Sequence, residues 1–119
     1  MVKRYNKKAH YNYKGEIFMI RHVVMFKFLE NAEGRTKAEN VKLTADMLRA
    51  LQGEVPTLKA SSVHIGAEGA DATNCDLLLI SDFDSLEALN EYIVHPKHKA
   101  VGAFMRPLRE SRACVDFEL

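Results

Sequence analysis

The chain of 119 residues has no tryptophan, two cysteines and three prolines, and it carries almost no net charge. Each shortage excludes something. Cys75 and Cys114 are too few for a disulfide framework and lack the clustered spacing of a metal finger, so reduced thiols in a cytoplasmic protein are expected. Seventeen Lys and Arg against sixteen Asp and Glu leave +1, with no field to draw in nucleic acid or anionic lipid. No apolar run approaches the roughly 20 residues a membrane-spanning helix needs. There is no Gly-x-Gly-x-x-Gly run, no phosphate loop, and no Ser/His/Asp or Cys/His set at a spacing that favours nucleophilic catalysis. No cofactor, nucleic acid or membrane partner is expected.

What is present suits one globular domain: 47% apolar and 28% charged residues, in a chain long enough to bury roughly two thirds of its unfolded surface. The start differs. Lys3, Arg4, Lys7, Lys8 and Lys14 precede the first acid, Glu16, with tyrosines at 5, 11 and 13. The apolar stretch that follows, Ile17 to Ile20, is too short for a signal peptide. Five cations in a short arm are weak support for nucleic-acid binding. Residues 1–18 are therefore expected to be a flexible or loosely docked basic extension before a domain at 19–119, with Met19 a candidate for the natural start.

Within that domain the periodicity predicts a strand from about Met19 to Leu29. Ile20, His22, Val24, Phe26 and Phe28 lie on one face, Val23 and Met25 on the other. Ala38, Val41, Ala45, Leu48 and Leu51 have helical spacing over about 36–52, closed by Gly53 and Pro56. A second strand fits Ala60 to Ala67, with Val63 and Ile65 on one face and Ser62 and His64 on the other. The third, Cys75 to Phe83, holds the run Leu77-Leu78-Leu79-Ile80, and continuous apolarity means burial on both faces. Asp84-Ser85-Leu86-Glu87 has capping-box spacing with Asp84 as the cap, opening a helix with Leu86, Leu89 and Ile93 on its apolar face. Pro96 ends that helix and starts a short one that closes near Gly102. Ala113, Val115, Phe117 and Leu119 then alternate with Cys114, Asp116 and Glu118 in a last strand.

The order is β-α-β-β-α-β. Right-handed crossovers put both helices on one face of a four-stranded antiparallel sheet, an α+β ferredoxin-like unit. The other face would leave Val23, Met25 and half of the 77–80 run in water, a larger apolar patch than monomers usually expose. A homodimer is predicted, with Val23 and Met25 in an interface where two sheets face each other and close an α/β barrel.

With these elements placed, Ile20-Arg21-His22-Val23-Val24-Met25-Phe26-Lys27-Phe28, Tyr92-Ile93-Val94-His95-Pro96-Lys97-His98 and, more weakly, Ala113-Cys114-Val115-Asp116-Phe117 resemble the stress-responsive dimeric α/β-barrel (Dabb) domain family. The resemblance covers about residues 19–119. It implies the dimeric barrel and a pocket between sheet and helices. One plant member of the family is a polyketide cyclase; the resemblance implies that His98 matches its acid/base histidine, Tyr92 its assisting tyrosine and His22 a pocket histidine. That enzyme has a further pocket histidine on the third strand, where this chain has Leu77 and apolar neighbours, which sets a shared substrate in doubt. Without tryptophan the chain also lacks an obvious residue for the chemistry of the haem-degrading relatives.

From the residues alone, an imidazole at 98 can remove a proton beside a carbonyl, and the Tyr92 hydroxyl can donate to the resulting enolate. The bland alternative is that His98 caps backbone carbonyls, Tyr92 packs, and His22 is a satisfied core residue. His95, before Pro96, suits a structural cap, and His64 a surface position. No metal is expected, because a proline between His95 and His98 fixes a turn and no carboxylate adjoins either. Val24, Phe26, Ile93 and Phe104 are the expected pocket lining, and methionines 25, 47 and 105 core fillers. The leading expectation is a homodimer binding a small apolar or aromatic molecule. The alternatives are a cofactor-independent cyclase or lyase using His98, Tyr92 and His22, or a non-catalytic assembly module whose pocket Phe26, Phe28 and Phe104 fill.

Overall fold

Alternation in the first long strand becomes burial directly: in β1, Ile20–Phe28, the even residues are buried while Met25 is 43% exposed. The computed structural model describes residues 10–11 and 17–119. Three more strands, β2 (Ala60–Ile65), β3 (Leu77–Phe83) and β4 (Arg109–Glu118), join β1 in an antiparallel sheet of order β2-β3-β1-β4. Helices α1 (Lys37–Arg49), α2 (Leu86–Val94) and α3 (Pro96–Met105) complete the unit, and a 3-10 turn at Arg106–Leu108 leads into β4. This is the ferredoxin-like architecture. Most of the extension at 1–18 lies outside the described residues; within them, His10–Tyr11 pairs antiparallel with Ile17–Phe18.

The helices seal one face. Val41, Ala45 and Leu48 of α1, Leu89 of α2, and Val101 and Met105 of α3 meet Val24, Phe26, Leu79 and Phe83 of the sheet. Thr36 caps α1 with a full capping box: its hydroxyl accepts from Glu39 N at 3.2 Å, and the Glu39 carboxylate accepts from Thr36 N at 3.1 Å. That helix stops at Arg49, short of Gln52. Gly53, at φ 88°, shapes the following turn, and Ala38 faces water.

The cap and buried face of α2 and the bounds of β2 and β3 differ from the sequence reading. The cap of α2 is Ser85, whose hydroxyl accepts from Ala88 N at 3.1 Å, whereas Asp84 pairs with Lys59 at 3.5 Å. Either residue has cap chemistry, and the turn after β3 decides which one enters the helix. Helix α2 is also rotated from the expected face: Leu89 and Tyr92 are buried, while Leu86 is 56% and Ile93 39% exposed. In β4 the apolar residues Ala113, Val115 and Phe117 turn outward with Val23 and Met25, and Arg112, Cys114 and Asp116 share the side of His22 and Val24. Helix α1 lies over β1 and β2 and α2 over β1 and β3, so the inner side of β4 is not sealed and tolerates polar groups. Strands β2 and β3 end at Ile65 and begin at Leu77, tighter than the expected bounds.

Candidate functional site

His22 is 3% exposed and stands on the inner face of β1, opposite Asp116 of β4 and Ser81 of β3. Its Nδ1 lies 2.5 Å from the Asp116 carboxylate, so Nδ1–H donates there and the tautomer is set. Cys114 Sγ is 3.4 Å from the same nitrogen and 3.6 Å from the carboxylate. Burial, then the Asp116 charge, pushes the thiol above its usual range, so it stays S–H and donates. The Ser81 hydroxyl is fully buried and has no partner among the described residues.

A column of rings continues from His22. Phe83 and Tyr92 have centroids 5.0 Å apart, Tyr92 and His98 4.4 Å, and His22 stands edge-on to Tyr92 at 6.5 Å. The break before Pro96 makes this possible: His95 is extended at ψ 135° and its Nδ1 accepts from Lys97 N at 3.1 Å, so α3 starts with a sharp change of direction. One turn on, His98 Nδ1–H donates to the Ile93 carbonyl at 3.0 Å, which leaves Nε2 as a free base. Burial pushes His98 below the ordinary 6.5, and positive charge from His22, Arg112 and His95 adds to it. Burial likewise pushes Tyr92 up to about 12, so it remains a neutral phenol. NMR titration of the ring protons is expected to put the His98 midpoint below 6.5, and Tyr92→Leu to move it upward as water gains access; an unshifted midpoint in the parent would show His98 to be solvated. Because folded His98 binds fewer protons than unfolded, its share of stability is present above 6.5 and is lost as pH falls through the depressed value.

A cavity of 150 Å³ opens beside these groups, between sheet and helices. Its lining includes the imidazoles of His22 and His98, the apolar Val24, Phe26, Leu79 and Val101, and the three arginines Arg106, Arg109 and Arg112. The structure thus brings together His22, His98, Val24 and Phe26. It does not place Tyr92 on the cavity: the ring is 1% exposed, behind His98, where it positions the imidazole. Ile93 and Phe104 are not lining residues either. The rotation of α2 turns the Ile93 side chain to solvent and leaves only its carbonyl at the site, while Phe104 packs under the Arg35 guanidinium, 5.4 Å from the ring centre. Asp116, Cys114 and the three arginines escaped sequence reading. The usable signal was the alternation in 112–116, which becomes informative only when the strand is paired with β1.

His22, Cys114 and Asp116 also offer three donor atoms within 4.8 Å of one another, a set different from the histidines considered in the sequence. In the structure these donors hydrogen-bond each other. A larger surface groove of 630 Å³ runs between the start of α1 and the loop before β3. Its cation Lys37 is bound to Glu30 at 3.2 Å and Asp76 at 3.4 Å, so the charges there serve the fold.

The model of the Stress Responsive A/B Barrel Domain matches residues 20–119. The chain belongs to that family. Among solved structures, a dimeric ferredoxin-like protein of unknown function from Bacteroides fragilis is 28% identical with a TM-score of 0.75, over 85% of this chain and 96% of that one. Another from Thermobifida fusca is 26% identical with a TM-score of 0.73, over 92% and 99%. A hydroxynitrile lyase from Passiflora edulis, at 14% identity and a TM-score of 0.70 over 85% and 93%, shares the A/B barrel fold and supports nothing finer. No curated protein matches the chain. No helix among the described residues is long and apolar enough to cross a membrane.

Proposed function

We propose that the protein is a homodimer in which each subunit binds one small, largely apolar or aromatic molecule in the cavity over His22 and His98. The observation that carries this reading is the cavity itself, whose lining combines apolar side chains with two imidazoles. Its volume of 150 Å³ is the scale at which an engineered apolar cavity takes up benzene. Support for the dimer is the outward apolar face and the dimeric state of the two relatives at 28% and 26% identity.

One observation favours a second reading, acid–base catalysis of the cyclase or lyase type. A buried imidazole held by a carboxylate at 2.5 Å is the arrangement that orients catalytic histidines, and His98 beside it carries an unprotonated Nε2. In this reading His98 Nε2 takes a proton from the carbon next to a carbonyl. The C–H electron pair forms the enolate C=C bond as the carbonyl electrons move to oxygen, and the imidazolium then returns the proton. Tyr92 holds His98 in place, and His22 with Asp116 fixes the other side of the ligand.

Acetophenone separates the two readings. Both expect its binding to shift the His98 and His22 ring resonances, and catalysis adds faster exchange of its methyl protons in D2O, lost by at least about 100-fold in His98→Ala. Binding without exchange leaves the first reading standing alone. Gly102→Leu is the cavity control: Gly102 lines the cavity and a Cβ there would meet nothing within 4 Å, so the helix tolerates the change while the ligand space fills. Undiminished binding in Gly102→Leu would place the ligand elsewhere and sink both readings.

A further inference from the structure

We propose that the molecule this cavity takes is an organic carboxylate, its anionic group gripped by Arg106, Arg109 and Arg112 and its apolar part lying toward Val24, Phe26 and Leu79. The inference rests on the binding reading above and names the chemistry of the ligand. The three arginines recur at every third position as the 3-10 turn passes into β4, and all three line the cavity. Among the described residues, neither Asp nor Glu lines it. Of the other described arginines, Arg21 pairs with Asp82 at 2.8 Å and Arg49 with Asp46 at 3.6 Å, while Arg35 donates to the Asn40 side-chain carbonyl at 2.6 Å. Among the described residues, Arg106, Arg109 and Arg112 form no ion pair; Arg112 leans on the Cys114 thiol.

In a chain of net charge +1, three such groups gathered on one small cavity are a local concentration of positive charge that an anion would relieve. Asp116, on the same strand face as Arg112, is committed to His22 at 2.5 Å. A guanidinium presents a planar fork that a carboxylate fills with two parallel hydrogen bonds, and it keeps its charge at any pH the fold survives. The apolar lining residues Val24, Phe26 and Leu79 supply the surface for a ring or short chain. The carboxylate would thereby sit at the cavity mouth and the hydrocarbon inside, with His98 Nε2 over the ligand rather than over the anion.

The test is an NMR titration of the full chain with benzoate and with its neutral analogue benzamide, at low and high salt, in the parent and in Arg109→Gln/Arg112→Gln. Both positions stand at the open edge of β4, so the variant is expected to fold like the parent. Benzoate is expected to bind at least about tenfold more tightly than benzamide, the ratio a charged hydrogen-bonded pair supplies. The advantage is expected to shrink with salt and to vanish in the double variant. Equal binding of the two probes, or a benzoate preference that survives the double substitution, would overturn the carboxylate assignment and leave the cavity reading intact. Failure of both probes to shift cavity resonances would remove the carboxylate assignment and the cavity reading together.

Discussion

A Val115→Asp variant is expected to sediment as a single chain of 13.5 kDa at micromolar concentrations where the parent sediments at twice that mass. Val115 is 63% exposed on the outward face, opposite Val23 in the β1–β4 pairing and near Met25 and Phe117, which are 43% and 42% exposed. In an isolated subunit an aspartate there would be solvated, so the fold itself is expected to be unaffected. Between two facing sheets it would be sealed from water without a partner. Such burial costs at least about 3 kcal/mol, and a twofold axis imposes it twice. Two such penalties weaken association about ten-thousandfold. The Arg21–Asp82 pair at 2.8 and 3.0 Å borders the patch and already satisfies its own charges, so it offers the new carboxylate no partner. Val115→Thr, which exchanges one methyl for a hydroxyl, is expected to stay dimeric. A variant that remains at double mass would mean that assembly uses another surface, and a parent that runs as one chain would end the facing-sheets proposal.

Replacing Phe83 by Ala is expected to lower stability by about 3–5 kcal/mol, read as a fall in the urea midpoint with an unchanged slope. Phe83 is fully buried at the end of β3 and meets Tyr92 at 5.0 Å and His22 at 6.4 Å between ring centres. The loss would be a large part of the about 5–15 kcal/mol that holds a domain together. It combines lost apolar burial with a void that rings on two elements cannot fill by small shifts. Phe83→Leu leaves less empty space and is expected to cost clearly less. Because Tyr92 in turn touches His98, the Ala variant is also expected to lose the depressed His98 titration even where it remains folded. All variants need comparison at one protein concentration, since unfolding of an oligomer depends on it. A loss below about 1 kcal/mol would show that the wall behind His22 collapses to fill the void.

The element order, the helix break at Pro96 and the inward face of β1 were legible without coordinates, because period two, period 3.6 and the geometry of proline act over a few residues. The continuous apolar run at 77–80 announced the apolar outer face in the same way: Leu77 and Leu79 are buried under the helices, while Leu78 and Ile80 on the other side are only partly covered. The local rules also brought His22 and His98 to one side of one sheet. They stopped at the rotation of α2, which is capped by Ser85 rather than Asp84 and keeps Tyr92 in the interior while the Ile93 side chain faces solvent. They stopped again at the edge strand. Its alternation 112, 114, 116 is plain in the sequence, but whether that side meets helices, water or His22 depends on the pairing of β4 with β1.

Tertiary structure alone therefore decided the composition of the site. His22 and Asp116 are 94 positions apart and meet at 2.5 Å because one register of an antiparallel ladder places them opposite. Shifting that register by one residue would turn Asp116 to the outer face and bring Val115 inward, and nothing in either strand by itself states which holds. The choice belongs to the sheet as a whole: packing of the even β1 residues under the helices fixes which way β1 faces, and hydrogen bonding along its edge then carries β4 with it. The sequence by itself determined a ferredoxin-like unit with an apolar outer face and histidines within. The carboxylate, the thiol and the arginines around them came from a pairing that only the assembled sheet specifies.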